Sequence, residues 1–253
     1  MINKIVNNLE HYTPGAALAI SYRWLMEAHV PKQAHLPKQN DQGDVAVRLR
    51  EFIATGRFVP NERLVEADLA TVLQANRANV RIALAMLDQE GLVIRERNRG
   101  ARVRLVSDAE AMEIADARRA LEGVVARQAA ACAGKADAGI LREIVAGMRK
   151  AYADSDFIQV SRLNGQLHAE IQRIAGNKTV TRLLEMLKSQ IVRQQYRAIL
   201  LPGRAKASVR EHAAIVAAIC AHDEKAAETA MLQHMDGVIA ALKQAISLNA
   251  GMP

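Results

Sequence analysis

The chain has 253 residues, half of them apolar and 24% charged, a composition that excludes a disordered chain and allows one large domain or two modest ones. Its net charge of +7 favours a polyanionic partner without identifying one. The apolar stretch 16–28 is broken by Arg23 and Glu27 and is too short to cross a bilayer, "MINKIVNNLE" lacks a signal-peptide pattern, and Cys132 and Cys220 have no pair spacing. These features point to a cytoplasmic protein with reduced thiols and no membrane association.

Residues 1–43 read as an extension ending in a linker. "HVPKQAHLPKQNDQG" is polar, carries two prolines and has no periodicity. Residues 44–106 then form a compact pattern. "VAVRLREFIATG" is an amphipathic helix closed by Gly56, and "VEADLATVL" is a shorter one. A turn at Gln74 to Asn76 leads into a third helix, about 77–90, with Asn76 as its N-cap and Gly91 after its end. "LVIRE" and "ARVRL" around "RNRG" predict a β-hairpin. Three helices and a hairpin make a winged helix-turn-helix.

From 107 to 253 the sequence turns to alanine- and leucine-rich helices. They are expected near 108–133, 136–152, 155–175, 178–199, 205–222 and 224–248. No proline occurs between Pro60 and Pro202, which suits long helices because an interior proline costs about 3 kcal/mol. The fold class is therefore mostly α: an N-terminal winged helix-turn-helix followed by an all-helical antiparallel bundle.

Arg77 and Arg81 open the third helix, where the helix dipole disfavours cations. A recognition helix resolves the conflict. Its N-terminus enters the major groove, so dipole and arginines act together on phosphates and base acceptors. Arginine pairs with guanine and asparagine with adenine, which makes Arg77, Asn79 and Arg81 the expected readers. Arg97, Arg99 and Arg102 on the wing are placed to reach backbone phosphate or the minor groove.

Two groups in the bundle have the spacing of a binding site. His212 and His234 lie 11 residues on either side of Asp223 on successive helices. In an antiparallel hairpin both sit at one height, about 16 Å from the turn. Asn164 and His168 share a face of another helix at i, i+4. Spacing alone is served equally by three unrelated histidines satisfied by hydrogen bonds. Arg193 and Arg197 form a further i, i+4 pair suited to a carboxylate.

Residues 45–103 resemble the DNA-binding domain of GntR-type bacterial transcription regulators. Leu64, Glu66, Leu69, Ala70, Arg77, Val80, Arg81, Ala83, Leu84, Glu90, Gly91, Leu92, Gly100 and Val103 carry the resemblance. Asn61 stands where that pattern has glycine, Asn79 where it has proline and Ile82 where it has glutamate. The helical remainder, to about 245, resembles the FCD-type effector domain in its shorter six-helix form.

The resemblance implies DNA contacts at Arg77, Ala78, Asn79, Arg81, Arg99 and Gly100. It also implies a divalent metal on Asn164, His168, His212 and His234, with asparagine in place of the usual aspartate. Zinc suits an imidazole-rich set, with nickel and manganese as alternatives. Arg118 matches an arginine that helps hold an acidic effector, and Arg193 and Arg197 are further effector-binding candidates. The function implied is a homodimeric, ligand-responsive regulator, a repressor, binding a pseudo-palindromic double-stranded operator and a small carboxylate. The competing readings are a metal-dependent hydrolase using the three histidines and a nucleic-acid-binding protein with no small ligand. Against the hydrolase, no H-E-x-x-H helix motif is present.

Overall fold

A computed structural model describes residues 42–54, 57–96, 100–190 and 201–250. Gly56, the wing arginines Arg97 and Arg99, and Arg193 and Arg197 lie outside the described residues, as does the extension before Gln42. Two compact units emerge. One is built on the described residues up to Ser107, together with Met186–Gln190; the other on Asp108–Glu185 and the described chain from Leu201.

The first unit contains α1 (Gln42–Ala54), β1 (Arg63–Leu64), α2 (Glu66–Val72), α3 (Arg77–Gln89), β2 (Val93–Glu96) and β3 (Gly100–Val103). Its core joins Val45, Leu49 and Ile53 of α1 to Leu69 and Leu73, to Val80, Leu84 and Leu87 of α3, and to Val93 and Val103 of the wing. Each such aliphatic side chain contributes about 1.5–3 kcal/mol on burial.

Asn76 caps α3, its Oδ1 accepting from the Asn79 N–H at 2.8 Å. Gly91 follows the helix at φ +70°, and Asn61 takes φ +65° where the family pattern has glycine. The wing has a strand the sequence did not reveal. β1 pairs antiparallel with β3, giving the order β1-β3-β2 and the register Leu64 opposite Ala101. A two-residue strand is too short to show periodicity.

The second unit holds α4 (Asp108–Cys132), α5 (Lys135–Ala153), α6 (Phe157–Ala175), α7 (Lys178–Gln190, whose residues from Met186 on are grouped with the first unit), α8 (Arg204–Cys220) and α9 (Glu224–Ala250). Its core runs through Val125 and Ala129 of α4, Leu141 and Met148 of α5, Leu167 and Ile171 of α6, Ile215 and Ile219 of α8, and Met231 and Met235 of α9. Small residues let α4 and α9 approach. A Cβ on Gly123 would meet Leu232 Cδ2 at 3.0 Å. The α8–α9 hairpin turns at His222, φ +56°, and Asp223 accepts from the Ala226 N–H at 2.9 Å. No helix among the described residues is long and apolar enough to cross a membrane.

Candidate DNA-binding face and metal centre

Arg77, Ala78 and Arg81 lie exposed on the first turns of α3. Arg81 is fixed by Glu66 of α2 through Nε–Oε1 at 3.1 Å and Nη2–Oε2 at 2.9 Å. That hydrogen bond, ahead of simple attraction, holds the Glu66 carboxyl below its ordinary range. Asn79 differs from the base-facing position suggested by its type. It is only 8% exposed and shares the inward face with Val80, Ala83, Leu84 and Leu87.

On the wing, Arg102 Nη2 pairs with Glu96 Oε1 at 2.5 Å. Gly100, expected at the DNA, also has a structural task. Its φ is +85°, and a Cβ there would meet the Leu64 carbonyl oxygen at 2.9 Å. A side chain at this position would force β1 away from β3.

In the bundle, α6, α8 and α9 bring His168, His212 and His234 together. One ring nitrogen from each lies within 4.8 Å of the others, and all three residues are buried. His212 Nε2 is 3.3 Å from His168 Nε2. Equal height on the α8–α9 hairpin explains why His212 and His234 meet, their ring centres 4.2 Å apart.

The other nitrogen of every ring is engaged. His168 Nδ1 is 3.0 Å from Glu122 Oε2, His234 Nδ1 is 2.8 Å from Glu211 Oε2, and His212 Nδ1 is 3.2 Å from Ser208 Oγ. A carboxylate only accepts, so a neutral ring at either His168 or His234 would carry its proton on Nδ1 and present a bare Nε2 lone pair. Ser208 serves either tautomer of His212. In one, His212 Nε2–H donates to His168. In the other, three lone pairs converge, and a cation stabilises them. Outer partners on Nδ1 are the usual support of metal-binding imidazoles. Neutral nitrogen donors fit a borderline divalent ion such as zinc.

Charged residues back this shell. Arg118 Nη2 donates to Glu122 Oε1 at 3.1 Å, and Arg204 Nη1 donates to Glu211 at 2.9 and 3.0 Å. Burial alone would push the Glu122 carboxyl up, but His168 and Arg118 outweigh it and hold it at about 2. Burial, reinforced by the neighbouring rings, drives His212 well below the usual histidine range. Burial likewise takes His234 down to about 4 against the opposing pull of Glu211. Neutral rings are the form a metal requires.

Asn164 sits half-buried one turn before His168 on α6. Arg118 is 5% exposed, and its Nε and Nη1 have no hydrogen-bond partner. Arg119 instead pairs with Asp236 at 2.6 Å. Glu122, Ser208, Arg204 and Gly237 escaped the sequence reading. Arg118–Glu122 and Ser208–His212 are both i, i+4 pairs, a spacing that could have exposed them. Gly237 leaves room for the Glu211 carboxylate: a Cβ there would meet Oε1 at 3.1 Å.

Comparison with known proteins assigns both units. Residues 42–103 match the model described as "Bacterial regulatory proteins, gntR family", and residues 113–237 match the FCD domain. The chain is 26% identical over 196 residues to the HTH-type transcriptional repressor RspR of Escherichia coli K12, covering 78% of this chain and 86% of the relative. It is 27% identical over 228 residues to the Uxu operon transcriptional regulator of the same strain, covering 79% and 86%. The solved structure of E. coli McbR/YncC shares the fold, with a TM-score of 0.71 at 22% identity over 80% of this chain and 97% of that one. The relatives are transcription regulators, which sets aside the hydrolase reading. The chain belongs to the GntR family of DNA-binding transcription regulators and carries an FCD domain.

Proposed function

We propose that this regulator is a cytoplasmic, homodimeric repressor whose operator affinity is set by a small organic acid bound beside a divalent metal, zinc in the first instance and nickel or manganese as alternatives. The observation that carries this reading is the convergence of three imidazoles whose Nδ1 atoms are all engaged elsewhere. His168, His212 and His234 would hold the ion, with Asn164 as an oxygen donor. The metal would supply a Lewis-acidic anchor for a carboxylate. Arg118, and on sequence grounds Arg193 and Arg197, would receive the acid's charge.

Arg77, Ala78 and Arg81 would read one half-site, with Gly100 and Arg99 of the wing at the flanking backbone. Burial of Asn79 favours a supporting role beneath them. One such domain reads only a half-site, so two copies on a pseudo-palindrome give a full operator. The ligand changes operator affinity only by favouring one bundle arrangement over another, and a coupling of about 1–3 kcal/mol is ordinary for such a switch. The repressor assignment follows the printed name of RspR.

The test joins elemental analysis of purified protein to titration of a selected operator with and without organic acids. One divalent metal per chain, with an acid-dependent shift in operator affinity, is expected. Protein without stoichiometric metal under metal-replete purification overturns the metal centre.

A further inference from the structure

The α3 helix meets the core of its unit through one face, carried by Val80, Ala83, Leu84 and Leu87. Successive helical residues are about 100° apart, which sets Ala78, Ile82 and Ala85 within about 60° of one another on the opposite side. Ala78 is exposed, Ala85 is half-buried, and Ile82 is 37% exposed. Ile82 is thus a large aliphatic side chain that the winged domain does not spend on its own core.

Arg77 and Arg81 border this apolar strip on one side. The Arg81 guanidinium donates to Glu66 of α2 through Nε and Nη2, so it is turned toward α2 and leaves Ile82 uncovered. The outward face of α3 is therefore a cationic edge beside an aliphatic strip. The side chains of Ala78, Ile82 and Ala85 neither donate nor accept, so they read no base by hydrogen bonding. Against an amino, carbonyl or ring-nitrogen group they would displace water without replacing its hydrogen bonds, which is unfavourable. Thymine is the base that presents an apolar group in the major groove, its C5 methyl.

Building on the reading of α3 as the recognition helix, we infer that Ile82 is a specificity-determining residue whose side chain packs on the C5 methyl of a thymine in each operator half-site. Ile82 extends farther from the helix than its alanine neighbours, so it makes the contact. Arg81, one residue before it, adds hydrogen bonding to the same face. The pair reads by two different kinds of chemistry, polar at the edge and apolar at the centre.

The test uses full-length protein and an operator obtained by binding-site selection. Each thymine of that operator is replaced in turn by deoxyuridine, which pairs with adenine in the same way and lacks the methyl group alone. Fluorescence anisotropy should find one thymine per half-site at which the replacement weakens the parent about fourfold, the worth of one buried methyl. In Ile82→Ala the penalty at that thymine should shrink to within about 1.5-fold, while Ile82→Val should keep most of it. Thermal melts of both variants should match the parent, because the side chain lies outside the core. A second selection with Ile82→Glu should return cytosine at that position, since the cytosine N4 amino group donates to a carboxylate.

A parent indifferent to deoxyuridine at every thymine overturns the inference. So does an Ile82→Ala protein that keeps the full penalty, which would assign the methyl contact elsewhere. Ile82→Ala that binds thymine and deoxyuridine operators with the same added loss overturns it too, and would make Ile82 a protein contact. A selection with Ile82→Glu that still returns thymine has the same consequence. In each of these cases a sequence-specific loss in Arg81→Ala leaves the recognition helix standing. Operator binding unchanged in Arg81→Ala and Ile82→Ala alike overturns the underlying reading and the inference with it.

Discussion

Glu66 of α2 holds Arg81 of α3 in a two-pronged ion pair, with contacts of 3.1 and 2.9 Å. The arginine side chain nevertheless remains 63% exposed. The pair thus fixes the direction of the guanidinium without hiding it. Exposed pairs add little to stability, so its consequence belongs to recognition. Arg81→Ala should weaken binding to a selected operator by about tenfold or more, and Glu66→Gln by a smaller factor, about threefold. Both should leave binding to a scrambled duplex nearly unchanged. Fluorescence anisotropy on the two duplexes checks this, and equal losses on both would show a phosphate contact instead of a base contact.

Asn79 separates fold from recognition. Its side chain is buried on the α3 face that carries Val80, Ala83, Leu84 and Leu87. Asn79→Ala should therefore destabilise the winged domain, by about 1 kcal/mol for a lost internal polar contact. Base preference at each operator position should stay the same. Thermal unfolding and a saturation binding-site selection read the two effects separately, and an altered preference at a single base with unchanged stability would return Asn79 to the reading face.

Much of this architecture was legible in the sequence. Asn76 and Gly91 marked the ends of α3, and counting residues outward from Asp223 put His212 and His234 at one height. At Asn79 residue type and helix position point in different directions. Helical periodicity alone sets it in line with Ala83 and Leu87, on the inward stripe, but its polar type suggested a base contact. β1 escaped because two residues carry no pattern and its partner β3 is distant in sequence. The outer shell escaped for a related reason. Glu122 on His168 and Glu211 on His234 are contacts between helices, and their register follows from packing.

Gly237 and Glu211 together support His234. Glu211 fixes the ring through Nδ1, and Gly237 keeps the space that the Glu211 carboxylate fills. Loss of an outer-shell partner typically lowers metal affinity 10–100-fold. Glu211→Gln should fall in that range, about 10–100-fold, and Gly237→Ala should follow in the same direction by displacing the carboxylate. Competition against a zinc chelator measures both. A Gly237→Ala protein with parental zinc affinity would show that the carboxylate has room to adjust.

Acid should destabilise the metal-free bundle in two stages. His234 titrates near 4 when folded against 6.5 as a free side chain, so the unfolded chain takes up its proton first. The stability tied to its neutral ring is complete above about pH 6.5 and is lost as pH falls toward 4. His212, driven lower still by burial, acts in the same direction. Glu122 adds a contribution that is complete above 4.5 and is lost as pH falls toward about 2. Saturating zinc should move the first stage to lower pH, because metal and protons compete for the rings. Thermal melts between pH 7 and 4 with chelator or zinc test this, and a flat metal-free profile would contradict the histidine assignment.

The histidines should separate ligand response from DNA binding. His168, His212 and His234 come from α6, α8 and α9, so one ion would tie three helices together. The reading face on α3 belongs to the other unit and contains none of these residues. Zinc at 100 times its dissociation constant would stabilise the parent by about 2.7 kcal/mol, and this increment should vanish in His212→Gln and His234→Gln. Both variants should lose stoichiometric metal and the acid-dependent change in operator affinity. Their operator affinity without acid should stay within about threefold of metal-free parent, a difference below 1 kcal/mol. Circular dichroism confirms that each variant is helical before the comparison is made. Folded variants that keep the acid response would place the effector away from the histidines, and folded variants that lose all operator binding would make the metal a requirement for DNA recognition instead of its regulator.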